Sequence, residues 1–394
     1  MSISTATIEE YGHEATFTSG RHWCRLGRRR TYTKALRYAG VAVVAICARQ
    51  AAVVQQVADR LSVAQASTDW RQTLQTVCPD IVALATPAVL RTEVVEMAAG
   101  LGCHLLVEKP LATTASQASY IYQRVQAAEV KHAYAATHCY NPAYVWLKEL
   151  IQQGIIGQLQ EIVVTMGRRH STPAIMPWLW MLSLAAGGGI LNNAGPHLLG
   201  ILKTISGGQL ARIMGECRVL ISQAPVVSGL HDHRDWRQQE GKFNQQNTAA
   251  LEWRTTDADN AFLALMQLWT NEGEIQTTIV YGWGQPVAGQ SNGMYFYGEQ
   301  GTLSVDQMFY GQGISFQAAG GEQREVLPVP QRLKDKVPAV GDFVQNRWCA
   351  LARDFVADIQ GEVRPNYLTF RDGWRYQVAI EAIRQGQGWT ELPI

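Results

Sequence analysis

Residues 108–110 read Glu-Lys-Pro, directly after a short apolar run, Leu105 to Val107. A buried parallel strand has no structural need for a carboxylate and an amine side by side at its C-terminal end. In an open α/β sheet that end is where ligands sit. Pro110 cannot extend the ladder and biases Lys109 toward an extended backbone, so Lys109 is expected to project from the sheet edge toward whatever is bound. Spacing alone leaves two readings, an exposed charged pair that closes a strand and a pair that faces a ligand.

The elements that must position this pair alternate at short range from residue 41 to 139. Residues 41–47 form an apolar run with β-branched members, the pattern of a buried strand. Residues 51–61 follow with Val53, Val54, Val57, Ala58 and Leu61 at helical spacing. Thr68-Asp69 can cap a short helix from Trp70. Residues 80–85 read as a strand closed by Thr86-Pro87; then come a helix over 92–99, a Gly100-Leu101-Gly102 stop and the strand that ends at Glu108. A helix over 114–128 and an apolar run at 133–136 complete the set. Alternating helices and fully apolar strands imply a parallel, doubly wound sheet.

After Asn141-Pro142 the pattern changes. A helix over 143–153 leads into a strand over 161–166. Residues 261–270, 274–283, 293–297 and 302–309 are long β-like segments with tight turns between them, which implies antiparallel pairing. Segments 228–247 and 319–341, rich in Gly, Gln and charge, read as solvated loops, and helices return over 342–359 and 369–384. The expected fold class is α/β: a Rossmann-type parallel sheet domain at 1–141, irregular before about residue 31, then an α+β domain at 142–394 with a large, mainly antiparallel open sheet. The second is the expected substrate and oligomerisation domain.

Composition narrows the function classes. The 394 residues are 47 % hydrophobic and 17 % charged with a net charge of +1, which gives no reason to expect nucleic acid or a membrane surface as partner. No apolar run approaches the roughly 20 residues of a membrane span, and the first ten residues lack the basic and apolar regions of a secretory signal. The seven cysteines are scattered and never spaced as Cys-x-x-Cys, which fits a reducing, cytoplasmic setting. No metal site is expected: His231-Asp232-His233 has nothing nearby to complete one.

Four stretches in order give the chain a family resemblance: 80–87 (Asp-Ile-Val-Ala-Leu-Ala-Thr-Pro), 107–112 (Val-Glu-Lys-Pro-Leu-Ala), 140–159 with Tyr140-Asn141-Pro142-Ala143-Tyr144 at its head, and 187–197 (Gly-Gly-Gly-Ile-Leu-Asn-Asn-Ala-Gly-Pro-His). Together they resemble the Gfo/Idh/MocA family of NAD(P)-dependent oxidoreductases, over about residues 40–394. The resemblance implies a Rossmann domain that binds NADP or NAD, a C-terminal sheet domain, and hydride transfer between nicotinamide and a sugar, cyclitol or related polyol. It implies Lys109 and His197 as the catalytic residues. The first orients and polarises the reacting oxygen or relays its proton; the second is the acid/base group, since an imidazole titrates near neutral pH. It also implies Ala48, Arg49, Thr86, Pro87, Glu108, Lys109 and Asn141 around the cofactor. Asn193, Arg168, His170 and Trp178 would lie around the substrate. The aromatics of the C-terminal sheet (Trp269, Tyr281, Trp283, Tyr295, Tyr297) fit a subunit interface as readily as a core, and a homo-oligomer is expected.

The chain departs from the family's pattern in four places. Asn193 stands four residues before His197, where an aspartate is frequent; its amide can orient a hydroxyl but cannot accept a proton. The histidine frequent after the strand 80–85 is replaced by the run Ala88-Val89-Leu90-Arg91. Ala48-Arg49 follows the strand 41–47 where an NAD-specific fold places a carboxylate, and an arginine without a carboxylate leans toward a 2′-phosphate, hence NADP. The fourth departure is the glycine fingerprint Gly-x-Gly-x-x-Gly, which lets backbone amides approach a pyrophosphate. Residues 12–32 hold no apolar strand, three glycines (Gly12, Gly20 and Gly27) that do not make the fingerprint spacing, and five arginines within 21–30. That absence sustains an alternative reading, a non-catalytic homologue that binds a sugar or a partner.

One account of residues upstream of about Thr31 is a displaced reading frame. Arginine codons beginning CGG, followed by His-Trp-Cys-Arg-Leu-Gly, read one nucleotide later as Gly-Ile-Gly-Ala-Gly-Trp. The nucleotide sequence of the gene is expected to yield that glycine-rich peptide in the displaced frame; a coding strand that yields none rules the account out.

Overall fold

The structure, a computed structural model, describes residues 4–8, 32–168, 176–230, 248–283, 292–306, 313–362 and 367–393. It contains two compact units, Met1–Pro142 with Gln331–Val378, and Ala143–Pro330 with Ala379–Ile394.

The first unit is built on a six-stranded sheet in the order β3-β2-β1-β4-β5-β6, every neighbouring pair parallel. Its strands are β1 (Ser4–Ile8), β2 (Ala42–Cys47), β3 (Gln65–Ser67), β4 (Ile81–Leu84), β5 (His104–Val107) and β6 (His132–Tyr134). Helices α1 (Tyr32–Tyr38), α2 (Ala51–Leu61), α3 (Trp70–Val77), α4 (Arg91–Gly100) and α5 (Ala115–Ala127) connect them. All four residues of β4 are buried, as a strand covered on both faces requires. The expected cap of α3 is in place, the Asp69 carboxylate accepting from the Gln72 amide at 3.0 Å; Thr114, read from the sequence as the first residue of its helix, caps α5, its hydroxyl accepting from the Gln117 amide at 3.2 Å.

The central strand β1 lies where the residue pattern shows no apolar run. It is held by polar contacts instead. The Ser4 amide and hydroxyl donate to the Asp80 carboxylate at 2.7 and 2.6 Å, and the Thr5 hydroxyl donates to the Ile81 carbonyl at 2.8 Å. The Ser4 hydroxyl keeps the Asp80 carboxyl below its usual range, against the opposing effect of burial. The stretch 12–32, which lacks the glycine fingerprint, lies outside the described residues up to Thr31.

The leading segment of the first unit ends at Pro142, and Gln331–Val378 belong to the same unit. Helix α8 (Phe343–Ile359), capped by Asp342, puts Cys349, Leu351, Ala352, Phe355 and Val356 into the core formed by Ala35, Leu36, Ile46, Val54 and Leu106. An amphipathic helix shows that it has a face to bury, not which core buries it. Helix α9 (Phe370–Gln385) runs through the second boundary, after Val378.

The second unit carries a nine-stranded sheet in the order β16-β15-β14-β13-β7-β12-β11-β8-β17. Here β7 is Leu159–Arg168, β8 Gln209–Arg218, β11 Ala261–Thr270, β12 Gly273–Trp283, β13 Gly293–Gly298, β14 Gly301–Asp306, β15 Gly313–Ala318, β16 Glu325–Pro328 and β17 Thr390–Glu391. Two further strands, β9 (Gln223–Pro225) and β10 (Trp253–Thr255), form a separate antiparallel pair. The nine-stranded sheet is antiparallel except between β7 and β12. One face is core: Phe262, Ala264, Met266, Ile279, Tyr281, Val164, Phe296 and Leu303 are buried. On the other, Leu263, Leu265, Trp269, Val280 and Tyr297 are exposed. Of the aromatics that suited interface and core alike, Tyr281 is core, where it pairs with and stacks on Phe262 at 5.4 Å. The expected loop 319–341 contains β16 and a helical turn, Gln331–Lys334. Helix α7 (Ile190–Ser206) buries one long apolar stripe, from Ile190 and Leu191 to Leu202 and Ile205.

In the first unit, β6 buries an imidazole. His132 Nδ1 accepts from the Phe370 amide at 3.1 Å, and the ring lies 4.9 Å from that of Phe370. Burial pushes its pKa down to about 4. The unfolded chain therefore binds the extra proton between about pH 6.5 and 4, so stability falls as pH drops through that window, by on the order of 3 kcal/mol. Urea unfolding midpoints measured from pH 7 to 4 are expected to show this slope, and His132→Phe is expected to flatten it while starting from a lower midpoint. An unchanged slope in His132→Phe contradicts the assignment.

Candidate functional site

In the first unit the loops that leave β4 and β5 are tied together. Residue Lys109 follows β5, and its amide donates to the Glu108 carboxylate at 2.8 Å; the Lys109–Pro110 peptide bond is cis. Burial depresses the Lys109 ammonium below its ordinary value; Glu108 opposes this and Arg91 adds to it. Thr86 and Pro87 close β4, and Pro87 opens the short helical turn Ala88–Leu90. The Glu108-Lys109-Pro110 turn thus stands at the C-terminal edge of a parallel sheet, one strand from the β1/β4 reversal of strand order.

The strand order is that of a dinucleotide-binding sheet, and the described residues fit such a ligand. The Thr86 hydroxyl is buried and has no hydrogen-bond partner among the described residues. An unmet hydroxyl costs about 1–3 kcal/mol, and at this edge a ligand hydroxyl would satisfy it. Ala48 follows β2, is buried, and donates its amide to the Ser67 carbonyl at 3.1 Å, while Arg49 beside it is exposed. Asn141 is half-buried at the end of the turn Thr137–Tyr140, its amide donating to the His138 carbonyl at 3.0 Å.

In the second unit Asn193 and His197 lie four residues apart on α7, on one face, and both are half-buried. The glycines before the helix have steric reasons. A Cβ on Gly188 would stand 2.5 Å from the Met181 carbonyl oxygen. Gly189 has φ 102°, and a Cβ there would stand 2.6 Å from the Asp259 carboxylate. That carboxylate accepts from the Leu191 amide at 2.8 Å, and the Asp259 carbonyl accepts from the Ile190 amide at 2.7 Å. Arg384 donates to Asp259 Oδ1 at 2.8 and 3.0 Å and to the Asn192 side chain at 3.2 Å. Asn192 in turn donates to the carbonyls of Gly187 and Gly188.

Sequence reasoning missed Arg91, Asn192, Asp259 and Arg384. Arg91 was visible only as the residue that replaces a histidine; Asp259 and Arg384 are distant in sequence from α7 and carried no local signal. Of the residues expected around a substrate, Trp178 is half-buried, its indole N–H donating to the Thr255 carbonyl at 3.4 Å with the Arg254 guanidinium 5.3 Å from its ring. Arg168 ends β7, and His170 lies outside the described residues, as does His231-Asp232-His233. Among the described residues no three His, Cys, Asp or Glu side chains converge as metal ligands, and no helix is long and apolar enough to cross a membrane.

Two family models match the chain. One, described as an oxidoreductase family with an NAD-binding Rossmann fold, covers residues 23–136; the other, the GFO/IDH/MocA C-terminal domain, covers 144–304. The first begins downstream of β1. Levoglucosan dehydrogenase of Pseudarthrobacter phenanthrenivorans is 26 % identical over 175 residues, 44 % of this chain and 45 % of its own length. D-glucoside 3-dehydrogenase of Escherichia coli is 29 % identical over 158 residues, 40 % of this chain and 44 % of its own. The chain thus aligns with less than half the length of either relative. A solved levoglucosan dehydrogenase, in complex with NADH and L-sorbose, superposes over the whole of both chains with a TM-score of 0.73 at 18 % identity.

The buried Asp259 carboxylate makes a direct prediction for α7. Asp259→Ala removes the acceptor of the Leu191 amide and leaves the Arg384 guanidinium without its carboxylate partner, and is expected to cost about 3 kcal/mol of stability. Asp259→Ala combined with Arg384→Met is expected to recover part of that loss, because the unpaired charge goes with it. Urea denaturation of both variants checks this, and a midpoint for Asp259→Ala equal to the parent's contradicts it.

Proposed function

Because the chain belongs to the Gfo/Idh/MocA oxidoreductase family, we propose that it transfers a hydride between nicotinamide and a carbinol carbon of a sugar, cyclitol or related polyol. The observation that carries this reading is the amine of Lys109, set at the sheet's C-terminal edge with its pKa depressed by burial. The names of the two relatives, both dehydrogenases of sugar compounds, support the substrate class.

When bound, the dinucleotide supplies the hydride acceptor or donor. The residues that would hold it are Ala48 and Arg49 toward the adenosine, and Thr86, Pro87, Glu108, Lys109 and Asn141 toward the nicotinamide. Arg49, with alanine rather than a carboxylate before it, favours the 2′-phosphate of NADP over NAD. The Lys109 amine polarises the reacting oxygen and shortens the path of its proton; a depressed pKa brings it closer to proton exchange at neutral pH. His197 takes or returns the hydroxyl proton. Asn193 orients a neighbouring hydroxyl, and its amide leaves the proton chemistry to the other two. Arg168, His170 and Trp178 suit the hydroxyls and apolar faces of a sugar ring. A second copy of the chain covers the exposed apolar face of the second unit's sheet, around Leu263, Leu265, Trp269 and Val280.

Fluorescence titration with NADH and NADPH is expected to show saturable binding, tighter for NADPH. A screen of anhydrosugars, cyclitols and sugar acids, read by nicotinamide absorbance, is expected to find a substrate. On that substrate Lys109→Ala and His197→Ala are each expected to lose roughly 10²–10⁴-fold in kcat. Absence of binding for both dinucleotides overturns the reading in favour of a non-catalytic sugar- or partner-binding protein. Light scattering of the same preparation reads the oligomer.

A further inference from the structure

The first residue of α4, Arg91, is 3 % exposed, and no carboxylate is among the acceptors its guanidinium reaches. Its Nε donates to the Thr86 carbonyl at 2.8 Å, Nη2 donates to the same oxygen, and Nη1 donates to the carbonyls of Glu108 and Pro110. One planar cation therefore closes two loops, the one that leaves β4 and the one that leaves β5. The last two acceptors belong to the residues on either side of Lys109.

A buried guanidinium is a costly way to hold loops together. Desolvating it carries a penalty of several kcal/mol that only complete hydrogen bonding offsets. Backbone carbonyls accept from neutral donors equally well, and an amide or hydroxyl would hold a loop without that penalty. What a guanidinium adds is a rigid fork that fixes several acceptors at once, and a permanent positive charge. Both act on the same neighbour.

We propose that Arg91 is a positioning residue for Lys109: it fixes the two carbonyls that flank the lysine, and through them the place of its amine at the end of β5. This rests on the reading of Lys109 as a group in hydride transfer. The charge points the same way. Arg91 disfavours the protonated form of the Lys109 amine, while the Glu108 carboxylate favours it. The two charges that act on Lys109 from α4 and from its own loop thus oppose each other, and removal of Arg91 leaves the acidic one alone.

The test compares Arg91→Gln, Arg91→Lys and Lys109→Ala, assayed with levoglucosan and NAD or NADP for kcat, KM and their dependence on pH. Arg91→Gln keeps an amide donor and loses the charge and the fork. It is expected to lower kcat by up to about 100-fold, as displacement of a reacting group does, with the cofactor KM within about twofold. Its pH–rate limb for Lys109 is expected to move up by about one pH unit. Arg91→Lys is expected to bring the limb back and to restore only part of kcat, because an ammonium lacks the fork. An Arg91→Gln enzyme with the parent's kcat and limb overturns the proposal. So does a loss of kcat with an unmoved limb, which is what a purely structural clamp gives. Full activity of Lys109→Ala overturns the reading of Lys109 itself, and is distinguishable because it concerns no Arg91 variant.

A second readout needs no turnover. Reductive methylation with ¹³C-formaldehyde labels lysine amines, and the Lys109 resonance is assigned by its loss in Lys109→Arg. Its titration midpoint is expected to rise in Arg91→Gln and to stay with the parent's in Arg91→Lys; an unmoved midpoint in Arg91→Gln overturns the proposal.

Discussion

The first unit depends on the parallel pairing of its six strands. A parallel sheet needs a crossover after each strand, and the helices that make those crossovers cover both faces. A strand so covered is apolar along its length, as the fully buried β4 is, unless its polar groups are hydrogen-bonded, as those of Ser4 and Thr5 in β1 are. Polar residues are pushed to the ends. Because the strands point the same way, the ends they leave gather on one edge: Ala48 and Arg49 after β2, Thr86 after β4, Glu108 and Lys109 after β5. The reversal of strand order between β1 and β4 opens the crevice on that edge.

Both units then solve the same problem in the same way. A loop end or a helix head has backbone groups to satisfy, and a buried charged residue gathers several of them. In the first unit Arg91 collects carbonyls from two loops. In the second, Asp259 takes the Leu191 amide on its carboxylate and the Ile190 amide on its backbone carbonyl, and its carboxylate is held by Arg384. In each case the charge is buried with hydrogen bonds around it, the condition under which a buried ion is tolerated. Loss of one partner therefore reaches well beyond the atoms it touches.

Much of this was legible in the residue pattern, for identifiable reasons. Strands β2, β4, β5, β11 and β12 are continuous apolar or β-rich runs, and helices α2 and α5 repeat their apolar residues at helical spacing, so each element's existence followed from its own residues. Asp69 announced a helix start because a cap acts within three residues. Strand β1 was not legible. Ser4, Thr5 and Thr7 give it no apolar run, and it takes its place through Asp80 and Ile81, which are remote in sequence. The sheet aromatics divide on parity: Tyr281 is core and Trp269 exposed, because side chains alternate between faces and register alone says which face is covered.

The sequence by itself determined the class of fold and the family, and it marked two contiguous motifs as candidates for the chemistry, Glu108-Lys109-Pro110 and the glycine-led run to His197. Those signals are local: a strand end, a turn and a helix face are each set by residues within a few positions of one another. Only the tertiary structure decided that α8 completes the first unit's core, that Asp259 and Arg384 hold the head of α7, and that Arg91 flanks Lys109 on both sides. The hydrogen bonds of Arg91 to Glu108 and Pro110 and those of Asp259 join residues from 17 to 125 positions apart, and the core contacts of α8 reach farther still. A buried charge finds its partners through packing, and no spacing along the chain records where packing will bring them.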